Sequence, residues 1–476
     1  MPKLTGIMGI GRRSLANSQV GLQTVSHNIA NKSTEGFSRQ RIEQATTPSL
    51  GTGGRQVGTG ATVKAVRSIK NDYLEKQIQS EMEKLGYNEG QAESMARVEQ
   101  VFNEQINGGL NRFVGEFFNA FRELASSPES AATRTLVKES AKAVTRDFGR
   151  VNSQLVDVQK DIDRQIESEV QIINSYTTEI ADLNEKISQI EIRGAIANDS
   201  RDRRDLLLKK LGEKIDIKYA ENEEGQVTVM AGSTATLVSG FSQNELTVSA
   251  SPGFNGHRYG EARVIFLPTE NSTEVDITKQ LKGGKIGAAL EVRDIVIDGL
   301  LKDLDEVAFS MANEVNALHI QGKDRSGRDG VLFFENFPTG KLNSAANLRI
   351  NETIDKDVSR IAAAQGSFGL GDNRVANKIS ELQYSKVLNN GTSTFDDFYT
   401  SVVGTVAVDV NKVNAAAKHQ KEIVSQLSNI RESISGVSID EETTKMIELQ
   451  KSFDASARLI RAADEMFDTI LSLKRY

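Results

Sequence analysis

Apolar residues recur at alternating gaps of three and four near both ends of the chain, interrupted by small residues such as Gly11 and Ser18. This heptad pattern predicts two amphipathic helices, and each must bury its stripe because a lone segment of this length is marginally stable in water. We therefore expect the two helices to pair with each other and with neighbouring copies of the chain, as an assembly interface. Its predicted N-terminal residues are Leu4, Met8, Leu15, Leu22, Val25 and Ile29, and its C-terminal residues are Met446, Leu449, Phe453, Ile460, Ala463, Phe467 and Ile470.

The same pattern also fits a simpler arrangement, in which two amphipathic helices pack on a core within one molecule. If the termini form the assembly interface instead, we expect them to be mobile in the free monomer. They would then fold on insertion into the growing assembly, where apolar burial offsets the entropy lost on ordering.

Prolines are scarce between the two ends, which leaves long stretches where helices can run without interruption. Ser127 and Pro128 are typical of a helix start, and the apolar face that follows continues to Gly194. Further helices are predicted over residues 71–105, 297–318 and 403–434.

The apolar period changes to two between Ile215 and Leu281, which predicts a β domain inserted into the helical frame. Shorter strand pairs are predicted for residues 41–45 with 61–69, and for 331–334 with 347–350. The predicted fold class is mainly α with an inserted β domain, with long coiled-coil-like helices from both termini in a nested multidomain architecture. The predicted domains are 1–36 with 438–476 (terminal coiled coil), 37–214 with 282–437 (long helices with short β pieces) and 215–281 (inserted β domain).

Composition narrows the possible functions. The net charge is -7 and the cations are spread among acids, which argues against a nucleic-acid partner. The chain has no cysteine, which excludes disulfides, thiol nucleophiles and thiolate zinc sites. No apolar run reaches the roughly 18 residues of a membrane span, and no cleavable signal peptide is recognisable. We expect a cytosolic protein, or one exported without a removable leader.

No catalytic, cofactor or metal site is predicted, so we expect a protein that is not an enzyme. The four histidines lie far apart in sequence. Residues 324–335 resemble a calcium loop but carry Arg328 and Asp329 at positions that need other residues, so we expect a turn entering a strand there. The charged run from Asp199 to Asp205 is typical of a solvated face or a salt-bridged interface.

Four segments, in order, resemble the flagellar hook-associated protein 1 family, the junction protein between hook and filament. They cover residues 26–40, 203–240, 283–322 and 435–468. Glu35 departs from the proline or threonine that related motifs often carry, which leaves the type of turn open. The residues that carry the terminal motifs are Asn28, Asn31, Gly36, Ser38, Arg39, Gln40, Gly436, Asp440, Glu441 and Glu442.

The resemblance implies a structural protein of the bacterial flagellum that forms a ring between hook and filament. The implied partners are the hook protein, a second junction protein on the filament side and a cytoplasmic export chaperone on the C-terminal helix. It also implies an extracellular location, reached unfolded through the flagellar type III apparatus without a cleaved signal peptide. The alternatives are another axial protein, hook or rod, with a β-dominated middle, and a cytosolic coiled-coil scaffold protein.

Overall fold

The computed structural model describes residues 2–52, 55–102, 109–251, 261–268, 273–337, 340–366 and 371–473. Helix α1 (Pro2–Ala30) leads through a turn into the antiparallel pair of β1 (Gln40–Thr46) and β4 (Ala61–Ser68). This pair confirms the first short β piece predicted from the sequence. Between the two strands lies a hairpin of β2 (Leu50–Thr52) and β3 (Arg55–Val57).

Helices follow next along the chain. They are α2 (Asp72–Val101), α3 (Leu110–Ser126), α4 (Ala131–Glu191) and α5 (Asn198–Lys214). Helix α4 is unbroken over 61 residues, and the apolar residues predicted to share one of its faces are all buried. The predicted helix over 71–105 is confirmed as far as Val101, and residues 103–105 lie outside the described part of the chain.

The predicted start of α4 at Pro128 is wrong. The N–H of Ser130 donates to the carbonyl of Ser127, so residues 127–130 form a turn before the helix. Ser130 is the N-cap, with its hydroxyl accepting from the N–H of Thr133. The carbonyl of Pro128 accepts instead from the buried guanidinium of Arg134 at 2.7 Å, which fixes the turn.

The inserted β domain is confirmed as two antiparallel sheets. The first contains β5 (Ile217–Glu221), β6 (Val227–Ala231), β7 (Ala235–Ser239) and β8 (Ser242–Gln243) in that order. The second contains β11 (Val275–Asp276), β10 (Glu261–Leu267) and β9 (Glu245–Ser251) in that order. Both sheets contact α4, whose Asn174 and Asn184 bond to their backbones.

The second half of the chain returns to helices. These are α6 (Gly284–Glu291), a π-helical segment Val292–Ile297, α7 (Asp298–Ile320), α8 (Ser344–Asn347), α9 (Glu352–Lys356), α10 (Arg374–Glu381), α11 (Phe395–Ser435) and α12 (Ile439–Leu473). Helix α11 packs along α2, and α12 packs along α1. Within the described ranges, no helix is both long enough and apolar enough to cross a membrane.

The predicted strand pair of residues 331–334 and 347–350 is wrong, because only an isolated bridge between Phe334 and Ile350 forms. The side chain of Asn316 in α7 binds part of the backbone of this segment. Its side-chain oxygen accepts the N–H groups of Phe333 and Phe334 at 2.7 and 2.8 Å, and its amide donates to the Phe334 carbonyl. The segment therefore bonds to the helix through Asn316, and to its predicted partner only through the N–H of Glu335 to Arg349 and the N–H of Asn351 to Phe333. The turn predicted before it is present, with Asp324 accepting two backbone N–H groups.

His319, near the end of α7, is fully buried between two loop segments. Its ring lies 5.4 Å from that of Phe333. Nδ1–H donates to the Val331 carbonyl at 2.6 Å, and Nε2 accepts the N–H of Ala362 at 2.8 Å. This pattern requires a neutral imidazole, and burial lowers the pKa of His319 to about 4. His257 lies outside the described residues.

The lowered pKa of His319 predicts a loss of stability in mild acid. An unfolded histidine takes up a proton near pH 6.5, whereas the buried one does so only near pH 4, so the unfolded state binds more protons in between. The contribution is complete above about pH 6.5 and falls by about 3 kcal/mol as the pH drops to about 4. Urea unfolding at a series of pH values measures this slope.

Two variants separate His319 from other acid-sensitive groups. His319→Gln should flatten the slope over this pH range, whatever its effect on stability at neutral pH. His419 is 81% exposed, so His419→Gln should leave the slope as in the parent. An unchanged slope in His319→Gln would contradict the assignment.

Candidate functional site

The two ends of the chain meet as an antiparallel helix pair, α1 with α12, called the terminal helix pair below. Small residues lie at the contact. The hydroxyls of Ser14 and Ser456 are 2.7 Å apart, and Ser18 donates to Ser452 at 3.2 Å. A Cβ on Gly11 would lie 2.7 Å from Cγ1 of Ile460. The two backbones therefore approach closely because there are no large side chains between them.

The larger residues predicted for the interface belong to this pair, and most are only half-buried. Val25 and Ala463 are buried, whereas Ile470 is 39% exposed. Leu449 packs over Gly21, where a Cβ would lie 2.8 Å from Cδ2 of the leucine. The half-buried residues are Leu4, Met8, Leu15, Leu22, Ile29, Met446, Leu449, Phe453, Ile460 and Phe467.

Large apolar side chains extend along one flank of the terminal helix pair. With 3.6 residues per turn, Met8, Leu15 and Leu22 fall to one side of the small residues of α1, and Met446 and Phe453 fall to the same side of α12. We call these five residues the apolar flank. The opposite flank is covered by the β1–β4 pair, where Asn17 donates to the carbonyl of Ala61 at 2.8 Å and accepts from Val63. One flank of α1 is thus covered within the molecule, whereas the apolar flank is open.

Asn28 closes the pair at the end nearest the rest of the molecule. Its side chain is fully buried, and its amide donates to the Gln40 carbonyl at 3.0 Å and to Glu442 at 2.9 Å. Its oxygen accepts the N–H of Gln40 at 2.9 Å. Three residues of the terminal motifs, from both ends of the chain, therefore meet in one hydrogen-bonded group.

The turn after α1 places the rest of the N-terminal motif. Asn31 donates through its side chain to the His27 carbonyl at 3.0 Å, which ends the helix. Gly36 has φ of 82°, a left-handed conformation that favours glycine, and its Cα faces Leu206 of α5. Glu35 pairs with Lys210 at the surface at 2.8 Å.

Arg431, near the end of α11, is 9% exposed and binds the segment that follows this turn. Its guanidinium donates to the carbonyls of Gly36 and Phe37 at 3.0 and 3.3 Å, and to the hydroxyl of Ser38 at 3.1 Å. It also pairs with Glu75 of α2 at 2.9 Å. Burial alone would raise the pKa of Glu75, but Lys209 and Arg431 outweigh burial and hold that pKa below its usual range.

The charged run at the start of α5 is a salt-bridged interface, as one of the two predicted alternatives states. Asp202 is buried, accepts the N–H of Ser38 at 2.7 Å and pairs with Lys70 at 2.7 Å. Burial raises the pKa of Asp202, although Lys70 opposes the shift. Asp199 accepts from the side chain of Gln40 at 2.7 Å. These acids hold backbone and cations in place.

Residues of the C-terminal motif complete the arrangement. The N–H of Arg39 donates to the Ser435 carbonyl at 2.8 Å, and its guanidinium pairs with Glu441, whose pKa this hydrogen bond lowers. Gly436 donates its N–H to the carbonyl of Glu432, and Asp440 lies exposed in the first turn of α12.

Several residues of this site were not predicted from the sequence. Ser14, Gly21 and Ser452 lie at the helix contact, and a signal for the first two exists, since small residues recur at gaps of three and four along α1. Arg431 carries no such signal. It is one of many charged residues on a long helix, and its partners on other elements lie more than three hundred positions away in sequence.

Because α1 and α12 approach closely, we expect a leucine to have opposite effects on the stability of the terminal helix pair at two different glycines. Gly11→Leu would place a side chain where Ile460 lies, and we expect it to destabilise the pair by about 1–3 kcal/mol. A Cβ on Gly6 would meet nothing within 4 Å, so Gly6→Leu gains helix propensity without a clash. Hydrogen exchange of α1 and α12 amides compares them, and equal protection in both variants would contradict the packing.

Comparison with known proteins agrees with this architecture. The family model described as "Flagellar hook-associated protein FlgK helical domain" matches residues 95–334, and one described as "Flagellar basal body rod FlgEFG protein C-terminal" matches residues 432–473. The solved structure of the flagellar hook junction protein FlgK from Burkholderia pseudomallei has a TM-score of 0.68 at 16% identity, covering 76% of this chain and 100% of that one. The shared fold confirms the predicted fold class.

Relatives align over almost the whole chain. Flagellar hook-associated protein 1 of Bacillus subtilis strain 168 is 27% identical, covering 97% of this chain and 96% of the relative. The protein of the same name from Salmonella typhimurium is 24% identical, covering 99% and 100%. Because the helical-domain model spans just over half of the chain, this protein belongs to the flagellar hook-associated protein FlgK family.

Proposed function

We propose that this protein is a structural component of the bacterial flagellum that forms a ring at the junction between hook and filament and buffers between them. The names of the aligned relatives and of the structural neighbour support this role. The observation that carries the mechanism is the open apolar flank of the terminal helix pair. An amphipathic surface left half-exposed in the single chain is available to a neighbouring copy.

The packing of the pair favours a contact between copies through its large residues. Because small residues make the contact between α1 and α12, the larger ones are only partly used within the chain. Further apolar residues of α12 are also exposed, among them Leu459 (42%), Met466 (46%) and Leu471 (47%). A second copy that covered these residues would gain about 25 cal/mol for each Å² of apolar surface removed from water. The terminal residues predicted from the sequence therefore remain our proposed assembly interface.

The proposed order of events changes in one respect. In the structure the termini are already helical and paired within one chain, which is the arrangement expected inside the assembly. We therefore propose that the terminal helix pair is already folded before insertion into the ring, in place of the folding on insertion expected from the sequence alone. The division into the three domains given above stays a prediction.

We infer that the protein is not an enzyme. The charged groups that lie closest together in the described ranges hold backbone groups or pair with one another, as Asp202 and Arg431 do. We propose the hook protein, a second junction protein and further copies of this chain as partners, with a chaperone on α12 before export. Membership of a flagellar family supports an extracellular location reached by export through the flagellar apparatus.

The rival assignment to hook or rod proteins fits less well. It predicts a β-dominated middle without a long helix between Pro128 and Gly194, whereas α4 runs from Ala131 to Glu191 there. The family match to a helical domain over residues 95–334 also favours the junction protein.

The proposal predicts that a charge in the paired stripe abolishes assembly. Ile460→Asp places a carboxylate beside Gly11 of α1, and we expect the variant to be missing from hook tips while filaments fail to form. Phe467→Asp should behave in the same way. Incorporation is measured by complementing a strain that lacks the protein and labelling isolated hook–basal bodies.

Gln450→Asp provides the matched control, because Gln450 is exposed on the same helix and the change adds the same charge. It should assemble like the parent. Protection of the inserted β domain in hydrogen exchange should be equal in all variants. Normal incorporation of Ile460→Asp and Phe467→Asp would overturn the proposed interface.

A further inference from the structure

We propose that Arg431 is a positioning residue that fixes the angle between the terminal helix pair and the remainder of the molecule, called the body (described residues between 72 and 435). The role of Arg431 in setting this angle follows from the contacts within one chain. Only the importance of the angle for a ring rests on the proposed function. Two connections join the pair to the body, and the contacts around them set the angle.

Both connections are short and pass side by side. The N-terminal connection covers residues 31–39 between α1 and the β1–β4 pair, and that pair leads on into α2 of the body. The C-terminal connection covers 436–438 between α11 and α12. The N–H of Arg39 donates at 2.8 Å to the carbonyl of Ser435, the last residue of α11, so the N-terminal connection touches the point where the C-terminal one starts. A single backbone bond leaves rotation about it possible, so further contacts must set the angle.

Side chains from two helices of the body supply those contacts. Asn198 and Asp202 of α5 bind the backbone of Val66, Ser68 and Ser38, and so hold the N-terminal side alone. Arg431 differs because it lies on α11, one turn before the C-terminal connection, and binds three successive residues of the N-terminal connection. It therefore ties the N-terminal connection to the end of α11, from which the C-terminal connection starts.

The contacts of Arg431 use the full width of a guanidinium. Nη2 serves the carbonyls of Gly36 and Phe37 and the hydroxyl of Ser38, while Nε pairs with Glu75. An ammonium group could keep the attraction to Glu75 but would not present several donors in one fixed plane. Lysine should therefore preserve the charge of the site and lose part of the constraint on the angle.

The charges of Arg431 and Glu75 are each paired with two groups of opposite charge. Glu75 lies between Arg431 and Lys209, and the exposed Glu432 gives Arg431 a second carboxylate at 2.8 Å. Without Arg431, Glu75 keeps Lys209 as its partner, so the body retains a paired charge. The carbonyls of Gly36 and Phe37 would lose their donor. The expected damage is therefore confined to the connections, which is what distinguishes positioning from general stability.

The absence of cysteine from the chain allows a direct measurement of the angle. Spin labels on Lys418→Cys of α11 and Gln450→Cys of α12, both exposed positions, report the distance between body and terminal helix pair in the monomer. A second label pair on Lys418→Cys and the exposed Gln171→Cys of α4 reports the body alone. We expect a single narrow distance for both pairs in the parent.

In the Arg431→Gln variant, the distribution of label distances between α11 and α12 should become broad. The distribution between the two labels within the body should stay narrow. The amides of Ser38 and Arg39 should exchange faster with solvent in the same variant. Arg431→Lys should lie between the parent and Arg431→Gln. Lys421→Gln removes an exposed charge from the same helix and should match the parent.

Two results would overturn the proposal. If Arg431→Gln keeps the narrow distance between α11 and α12, the angle is set without Arg431. If the distance within the body is lost as well, Arg431 is needed for folding rather than for positioning. Both measurements use monomer, so they are independent of the incorporation experiment on Ile460→Asp and can fail separately from it.

Discussion

The contact between α1 and α12 is the constraint on which the remaining architecture depends. Ser14 and Ser456 are 442 positions apart in sequence, yet their hydroxyls touch. Joining such distant segments costs loop-closure entropy, which grows only slowly with length, so a nested chain can tolerate it. The chain between α1 and α12 must therefore start and end at the terminal helix pair. The long helices meet this requirement because α2 and α11 pack along each other toward the two connections.

Asparagine side chains fasten helices to strands and loops at several separate places. In each case the amide donates to a backbone carbonyl and its oxygen accepts a backbone N–H, so the side chain replaces a peptide group of a neighbouring strand. These pairs of hydrogen bonds satisfy backbone groups at strand edges and loops that would otherwise have no partner. The residues are Asn17, Asn28, Asn174, Asn184, Asn198 and Asn316.

Sequence periodicity predicted most of the helices and strands, but it did not predict the polar contacts that hold them to one another. The long face of α4 and the alternating strands near Val227 bury apolar side chains at fixed intervals, so each leaves a repeated signal. Arg431 and Asn316 are single residues that form hydrogen bonds to the backbone of other segments. A single residue leaves no repeated signal in the sequence. Near Phe333 only one bridge of the predicted strand pair forms, and the Asn316 side chain, which the pattern did not predict, binds the N–H groups of Phe333 and Phe334.

The length of helix α4 determines where a force on the inserted sheets enters the rest of the molecule. At about 1.5 Å per residue, its 61 residues extend roughly 90 Å, with one end near the Arg134 turn and the other beneath the inserted sheets. Asn174 and Asn184 attach those sheets to the distal third of the helix. A sideways force on the sheets is therefore applied to the last third of the helix, and the elements that pack along the rest of it must resist that force.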